Sequence, residues 1–201
     1  MFLLRAPSDE QIRQFISSRR EQPFSYPEVG ASRPGDVEQV EGYTMDRHRI
    51  KLGGGQKTFE LAVDALRKWK HFCLGWVRIV PPDTPVEVGA TVAVLAKLFA
   101  LWSLNACRIV YVIDENVPAM NADDGASFKR FGFAYGTLHD HAERGEERFT
   151  IEWYANDDSV WYDILAFSRP NLLAELGYPL TRRLQKKFAC DSLAAMVKAL
   201  S

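Results

Sequence analysis

The densest set of groups able to do chemistry is His139-Asp140-His141-Ala142-Glu143-Arg144-Gly145-Glu146-Glu147, two imidazoles set two residues apart among carboxylates. Such donors suit zinc or manganese. The spacings of closed or open zinc sites are absent, however, and no partner ligand is evident elsewhere, so no metal is assigned. A solvated hairpin turn, with Gly145 supplying the unusual dihedral, accounts for the run. His141 and Glu143 are then placed where they can hydrogen-bond across the rim of a cavity.

Three further groups could act on a ligand. His48 lies on the apolar side of an alternating stretch with Ile50 and Leu52. It is either a satisfied core residue or a group that orients a ligand or moves a proton. Tyr111, Tyr135 and Tyr162 fall in phase with apolar neighbours on three predicted strands. Their hydroxyls either project into a cavity or bond to backbone inside a packed core. Arg169 could greet an anionic head group bidentately or pair with Asp163 or Glu175. The basic stripe Arg182, Arg183, Lys186 and Lys187 reads as the solvated face of an amphipathic helix rather than a membrane or RNA contact. No Ser-His-Asp order, GxSxG elbow or HExxH helix is present, so no catalytic residue and no cofactor are named.

The elements that must position these groups come from an ordinary globular composition. The chain has 201 residues, 47% hydrophobic and 25% charged, with a net charge of −1. There is no global pull toward nucleic acid or acidic lipid. A chain of this length buries roughly 70% of its unfolded surface. Cys73, Cys107 and Cys190 form no CxxC pair, which fits reduced thiols in the cytoplasm. Phe2-Leu3-Leu4 is too short for a signal peptide. The most apolar stretch, 86–104, contains Glu87 and Lys97, which argues against a membrane-crossing segment.

Ser8-Asp9-Glu10-Gln11 announces a first helix by its capping-box spacing. A proline- and glycine-rich loop follows to Gly42, pinned by Phe24, Tyr26 and Val29. Arg47 to Leu52 alternates as a strand. Gly53-Gly54-Gly55 then turns into a helix over 56–70 with Phe59, Val63, Leu66 and Trp69 as its stripe. The glycines lack the residues of a P-loop and read as a flexible turn. Periodicity does not decide whether 96–104 is strand or helix; the neighbouring strands favour strand. Strands are predicted at 108–114, 131–137, 148–153 and 160–167, with Ile109, Tyr111 and Ile113 on one face. Phe131, Phe133 and Tyr135 alternate with only Gly or Ala, a stripped face that another element can approach. A final helix over 179–200 carries Leu180, Leu184 and Phe188 on one side. Its apolar set beyond Cys190 points elsewhere, which implies a kink near Asp191-Ser192 or a second packing surface. The fold class is α+β, a curved antiparallel sheet gripping a long C-terminal helix. The domain is a single unit over 1–201, with 1–42 packed on it.

Several blocks resemble, in order and over nearly the whole chain, the DUF1990 family, also called UPF0548. They are Phe24-Ser25-Tyr26-Pro27-Glu28-Val29-Gly30, Leu74-Gly75-Trp76-Val77, and Trp102 through Tyr111 (WSLNACRIVY). Arg130 through Leu138 (RFGFAYGTL), Gly145 through Phe149 (GEERF) and Phe167-Ser168-Arg169-Pro170 complete the set. The insertion-like 116–127 and His139, where a proline is expected, depart from the pattern in loops. The family in turn resembles the START-like, birch-pollen-allergen-like (SRPBCC) helix-grip superfamily. That resemblance implies a strand, helices, a meander of strands and a gripped final helix. It also implies a cavity for sterols, lipids, polyketides or other apolar ligands.

On that basis the cavity-lining candidates are His48, Trp102, Tyr111, Phe133, Tyr135, Trp153, Tyr162, Leu184 and Phe188, with His141, Glu143 and Arg169 at the rim. The expected partner is an apolar or lipid-like small molecule, with no nucleic acid and no membrane insertion; homo-oligomers stay open. Two other readings remain: an enzyme of cyclase, isomerase or hydrolase type using His48 or His141 with a tyrosine, and an interaction module presenting Leu193, Val197 and Leu200.

Overall fold

The helix announced by Ser8 forms over Asp9–Arg19 (α1). Ser8 Oγ accepts from the Gln11 amide at 3.3 Å and Gln11 Oε1 accepts from the Ser8 amide at 2.8 Å, so two free N–H groups are satisfied reciprocally. The structure is a computed structural model that describes residues 1–35, 40–99, 101–117, 127–139, 141, 143–170 and 178–201. Part of the proline-rich loop, most of the 116–127 insertion, Asp140 and Ala142 of the polar cluster, and Glu175 as a partner for Arg169 lie outside the described residues.

The strands are Phe2–Leu3 (β1), Thr44–Gly54 (β2), Val77–Val80 (β3), Thr91–Leu98 (β4), Leu101–Val117 (β5), Phe128–Thr137 (β6), Glu143–Tyr154 (β7) and Ser159–Pro170 (β8). Gly55–Arg67 (α2), a 3-10 turn at Lys70–Phe72 and Tyr178–Ala199 (α3) complete the described elements. One antiparallel sheet runs in the order β2-β8-β7-β6-β5-β4-β3, with β1 added on β5. Strands β3 to β8 form a meander of sequential neighbours, and β2 returns beside β8. The curved sheet grips α3, as the sequence predicts.

Of the 96–104 stretch that periodicity leaves open, residues 96–98 end β4 and 101–104 begin β5, with Phe99 81% exposed in the turn after β4. Strand β4 itself is buried on both faces up to Ala96. Val92 and Ala96 join the core beneath α2 and α3, while Ala93 and Leu95 pack on the other face against Ile12, Phe15 and Ile16 of α1. A strand buried on both sides reads as a continuous apolar run. Each fully buried apolar side chain contributes about 2 kcal/mol, which suffices to dock α1 on that outer face.

The Gly53-Gly54-Gly55 turn has a steric reason. A Cβ on Gly54 would lie 2.8 Å from the Asp158 carbonyl oxygen, so the β7–β8 turn crosses against bare backbone. The stripped face of β6 works the same way. A Cβ on Gly136 would meet the Tyr26 hydroxyl at 2.1 Å, and the proline-rich loop uses that gap to lie on the sheet. There Glu146, 2% exposed, accepts from Tyr26 at 2.7 Å, from the Gly30 amide at 2.8 Å and from the Ser32 amide and hydroxyl.

Helix α3 runs unbroken through Asp191-Ser192, and its second half packs on the same core as Phe188, so neither the kink nor the separate packing surface expected from sequence is found. Ser192 and Met196 are fully buried and Leu193 and Leu200 pack on the same core. Val197 is 41% exposed. The apolar set expected for an interaction module is therefore largely spent inside the fold.

Candidate functional site

The pairing of β6, β7, β8 and β2 stacks the inner face in cross-strand rows. The deepest, Phe131–Ile151–Tyr162–Ile50, is apolar; next come Phe133–Phe149–Ile164–His48, then Tyr135–Glu147–Ala166–Asp46. Aromatic rings fill the first two rows. In the third, Ala166 is small and two carboxylates enter, so space opens beneath α3, although Asp46 reaches Arg182 of that helix. The result is a cavity of about 200 Å³ between the sheet and the first half of α3. Phe72, Trp76, Ile164, Leu184 and Phe188 form its apolar wall.

Its polar wall is set by the β6–β7 hairpin. Tyr135 sits directly opposite Glu147 and donates to Glu147 Oε2 at 2.7 Å. Burial pushes the Glu147 carboxyl up to about 7, the Tyr135 hydrogen bond opposing it; the same burial raises Glu143, whose Oε1 accepts from Gln185 Nε2 at 2.6 Å. His141 Nδ1 accepts from the Glu143 amide at 3.0 Å, and burial lowers that imidazole to about 4. Asp46 differs: Arg182 grips both its oxygens at 2.5 and 2.7 Å and holds its carboxyl below the usual range. Proton exchange near neutral pH is thus available at Glu147.

Among the residues singled out from sequence, His48, Tyr135, His141, Glu143, Leu184 and Phe188 line this cavity. Six others sit elsewhere, each for a physical reason. Tyr111 is turned to the outer face by a register shift between Ile109 and Tyr111. One extra residue reverses the side, so Ile109 points in while Tyr111 and Ile113 point out. Its hydroxyl meets Ser32 Oγ at 2.6 Å. Trp102 also lies on the outer face, packed with the α1 cluster under Lys97. Phe133 is sealed in the deeper row by Trp69 and Phe149, at 4.9 and 5.4 Å between centroids. Tyr162, fully buried, spends its hydroxyl on Ser192 Oγ at 3.0 Å. Trp153 sits near Phe59 and donates to Asp158 Oδ1 at 2.8 Å. Arg169 lies over the Tyr43 ring at 4.7 Å, and Asp163 pairs with Arg47 at 2.8 Å instead.

Sequence reasoning passed over Glu147, Asn105, Gln185, Phe72 and Trp76. Glu147 was absorbed into a solvated turn. The signal that finds it is cross-strand: a hairpin closing around residue 140 sets Glu147 against Tyr135. Among the described residues no group of three His, Cys, Asp or Glu is placed to hold a metal ion, and no helix is long and apolar enough to cross a membrane.

Comparison with known proteins adds the following. The family described as "Domain of unknown function (DUF1990)" matches residues 25–195. A UPF0548 protein of Dictyostelium discoideum is 42% identical across 100% of this chain and 96% of its own. A UPF0548 protein of Arabidopsis thaliana is 32% identical across 96% and 94%. Among solved structures, a hypothetical protein from Helicobacter pylori superposes with a TM-score of 0.51 at 12% identity, covering 89% of this chain and 96% of that one. This last is a likeness of fold alone.

Proposed function

The chain belongs to the DUF1990 family, also called UPF0548, and we propose that it binds a small amphipathic molecule in the cavity beneath α3. One observation carries this reading: an apolar wall and a hydrogen-bonding wall face each other across about 200 Å³. Pockets for drug-sized ligands run from about 300 to 1,000 Å³, and an apolar void of about 150 Å³ takes benzene. The ligand is therefore nearer one ring with a polar head than a sterol or an extended lipid. Native mass spectrometry of protein purified without added ligand, together with ligand-observed NMR of single-ring probes, tests the proposal. Ala189→Phe and Leu184→Trp, both at cavity-lining positions, should abolish binding while circular dichroism stays unchanged. Undiminished binding in the variant that folds would place the ligand elsewhere.

A catalytic reading draws on the Tyr135–Glu147 pair, since a carboxyl near 7 can both give and take a proton. It moves the acid–base role from the histidines expected from sequence to Glu147.

A further inference from the structure

The polar wall of the cavity offers acceptors with little positive charge to answer them. Asp46, Glu143, Glu146 and Glu147 border it, against one exposed lysine, Lys186. Asp46 is answered by Arg182, and Glu146 is satisfied on the opposite face by Tyr26, Gly30 and Ser32. Glu147 and Glu143 hold neutral partners, the Tyr135 hydroxyl and the Gln185 amide, and neither forms an ion pair among the described residues. A third acceptor is independent of both. Asn105 lines the cavity at 9% exposure and gives Nδ2–H to Ser103 Oγ at 2.7 Å. Its Oδ1 is buried without a hydrogen-bond partner among the described residues. An unpaired buried acceptor is costly, and a ligand donor would remove that cost.

Beside these acceptors stand aromatic rings. Phe72 and Phe188 lie 5.0 Å apart between centroids on the cavity wall, a surface that attracts cations as well as apolar groups. An anionic head would meet two carboxyls, and a purely apolar ligand would strand Asn105. An ammonium brings three donors to three acceptors.

We infer that the cavity selects a small amine, its apolar body on Phe72 and Phe188 and its ammonium donating to Glu147, Glu143 and Asn105 Oδ1. This rests on the ligand-binding proposal and adds the chemical class. The charged and titratable groups facing Glu147 are Cys107 on β5, Tyr135 on β6, Glu143 and His141 on the hairpin, Tyr162 on β8, and Asp46 and His48 on β2. Helix α3 adds Arg182 and Lys186. Glu147 is half protonated near 7, so binding an ammonium displaces its proton and tightens as pH rises through that value.

Benzylamine, benzyl alcohol and benzoate share one ring and differ in the head, and isothermal titration calorimetry in two buffers of different ionisation heat compares them. At about pH 8 benzylamine should bind about tenfold more tightly than benzyl alcohol, an advantage of about 1.4 kcal/mol, and benzoate should not bind. The advantage should shrink at about pH 6 with proton release, and should vanish in Glu147→Gln. Alcohol or benzoate binding as well as the amine, or an amine preference untouched in Glu147→Gln, overturns the amine inference and leaves the pocket reading standing. If that variant does not fold, the wild-type head-group order and proton release decide. Binding by none of the three probes removes the pocket reading itself.

Discussion

His71 is fully buried inside aromatic rings, stacked on Trp69 at 5.7 Å and within 4.7 Å of Phe149 and 4.8 Å of Phe72 between centroids. Neither ring nitrogen has a hydrogen-bond partner among the described residues. Burial lowers the imidazole to about 3. Its folded value lies below its unfolded one, so the unfolded chain binds more protons in acid. Stability is therefore lost as pH falls from the unfolded value of 6.5 toward about 3. Glu147 acts with the opposite sign, its raised carboxyl costing stability as pH rises from 4.5 to about 7. Comparing a variant with wild type at each pH cancels that second slope. His71→Phe should therefore gain about 2 kcal/mol more at about pH 5 than at about pH 8, read from urea denaturation. An equal effect at both pH values would mean that the imidazole is not held neutral by its cage.

The stripped face of β6 is an element-scale device, because its worth depends on what lies against it. Tyr26 lies against Gly136 and reaches Glu146, so the proline-rich loop is held by a backbone gap and a buried carboxylate together. Gly136→Ala should force the Tyr26 ring out and cost about 2–3 kcal/mol. Limited proteolysis should then cut within the loop at denaturant concentrations that leave wild type intact. A variant as stable as wild type, with the loop still protected, would show that the ring is not clamped there. The same elements mark how far the sequence could be read. Capping at Ser8, alternation at Arg47–Leu52 and the glycine alternation of β6 are local, and each was legible. The side on which Tyr111 points was not, since one extra residue reverses it and only the partner strand records the insertion. Glu147 was hidden for a related reason: its surroundings come from Tyr135 across the hairpin and from α3, not from its own neighbours in sequence.

Helix α3 joins the molecule to the sheet by two kinds of contact, and the division falls at the cavity. Its second half is anchored in the main core by Met196, and the buried Ser192 is bonded by Tyr162. Its first half stands over the cavity, with Phe188 packed on Phe72 and polar ties at its outer end. Arg182 grips Asp46, and Gln185 Nε2 donates to Glu143 Oε1 at 2.6 Å and to Ser168 Oγ at 3.0 Å. Segments held by few apolar contacts open at lower free energy than the core, so the outer turns of α3, ahead of Phe188, should open more readily than the rest of the helix. Asp46→Asn keeps the side chain's shape and removes the charge that holds Arg182. Hydrogen exchange in this variant should quicken about tenfold over Leu180–Phe188, equivalent to about 1.4 kcal/mol of local opening. Exchange beyond Ala189 should be unchanged. Acceleration spread evenly to Leu200 would mean that α3 moves as one rigid rod.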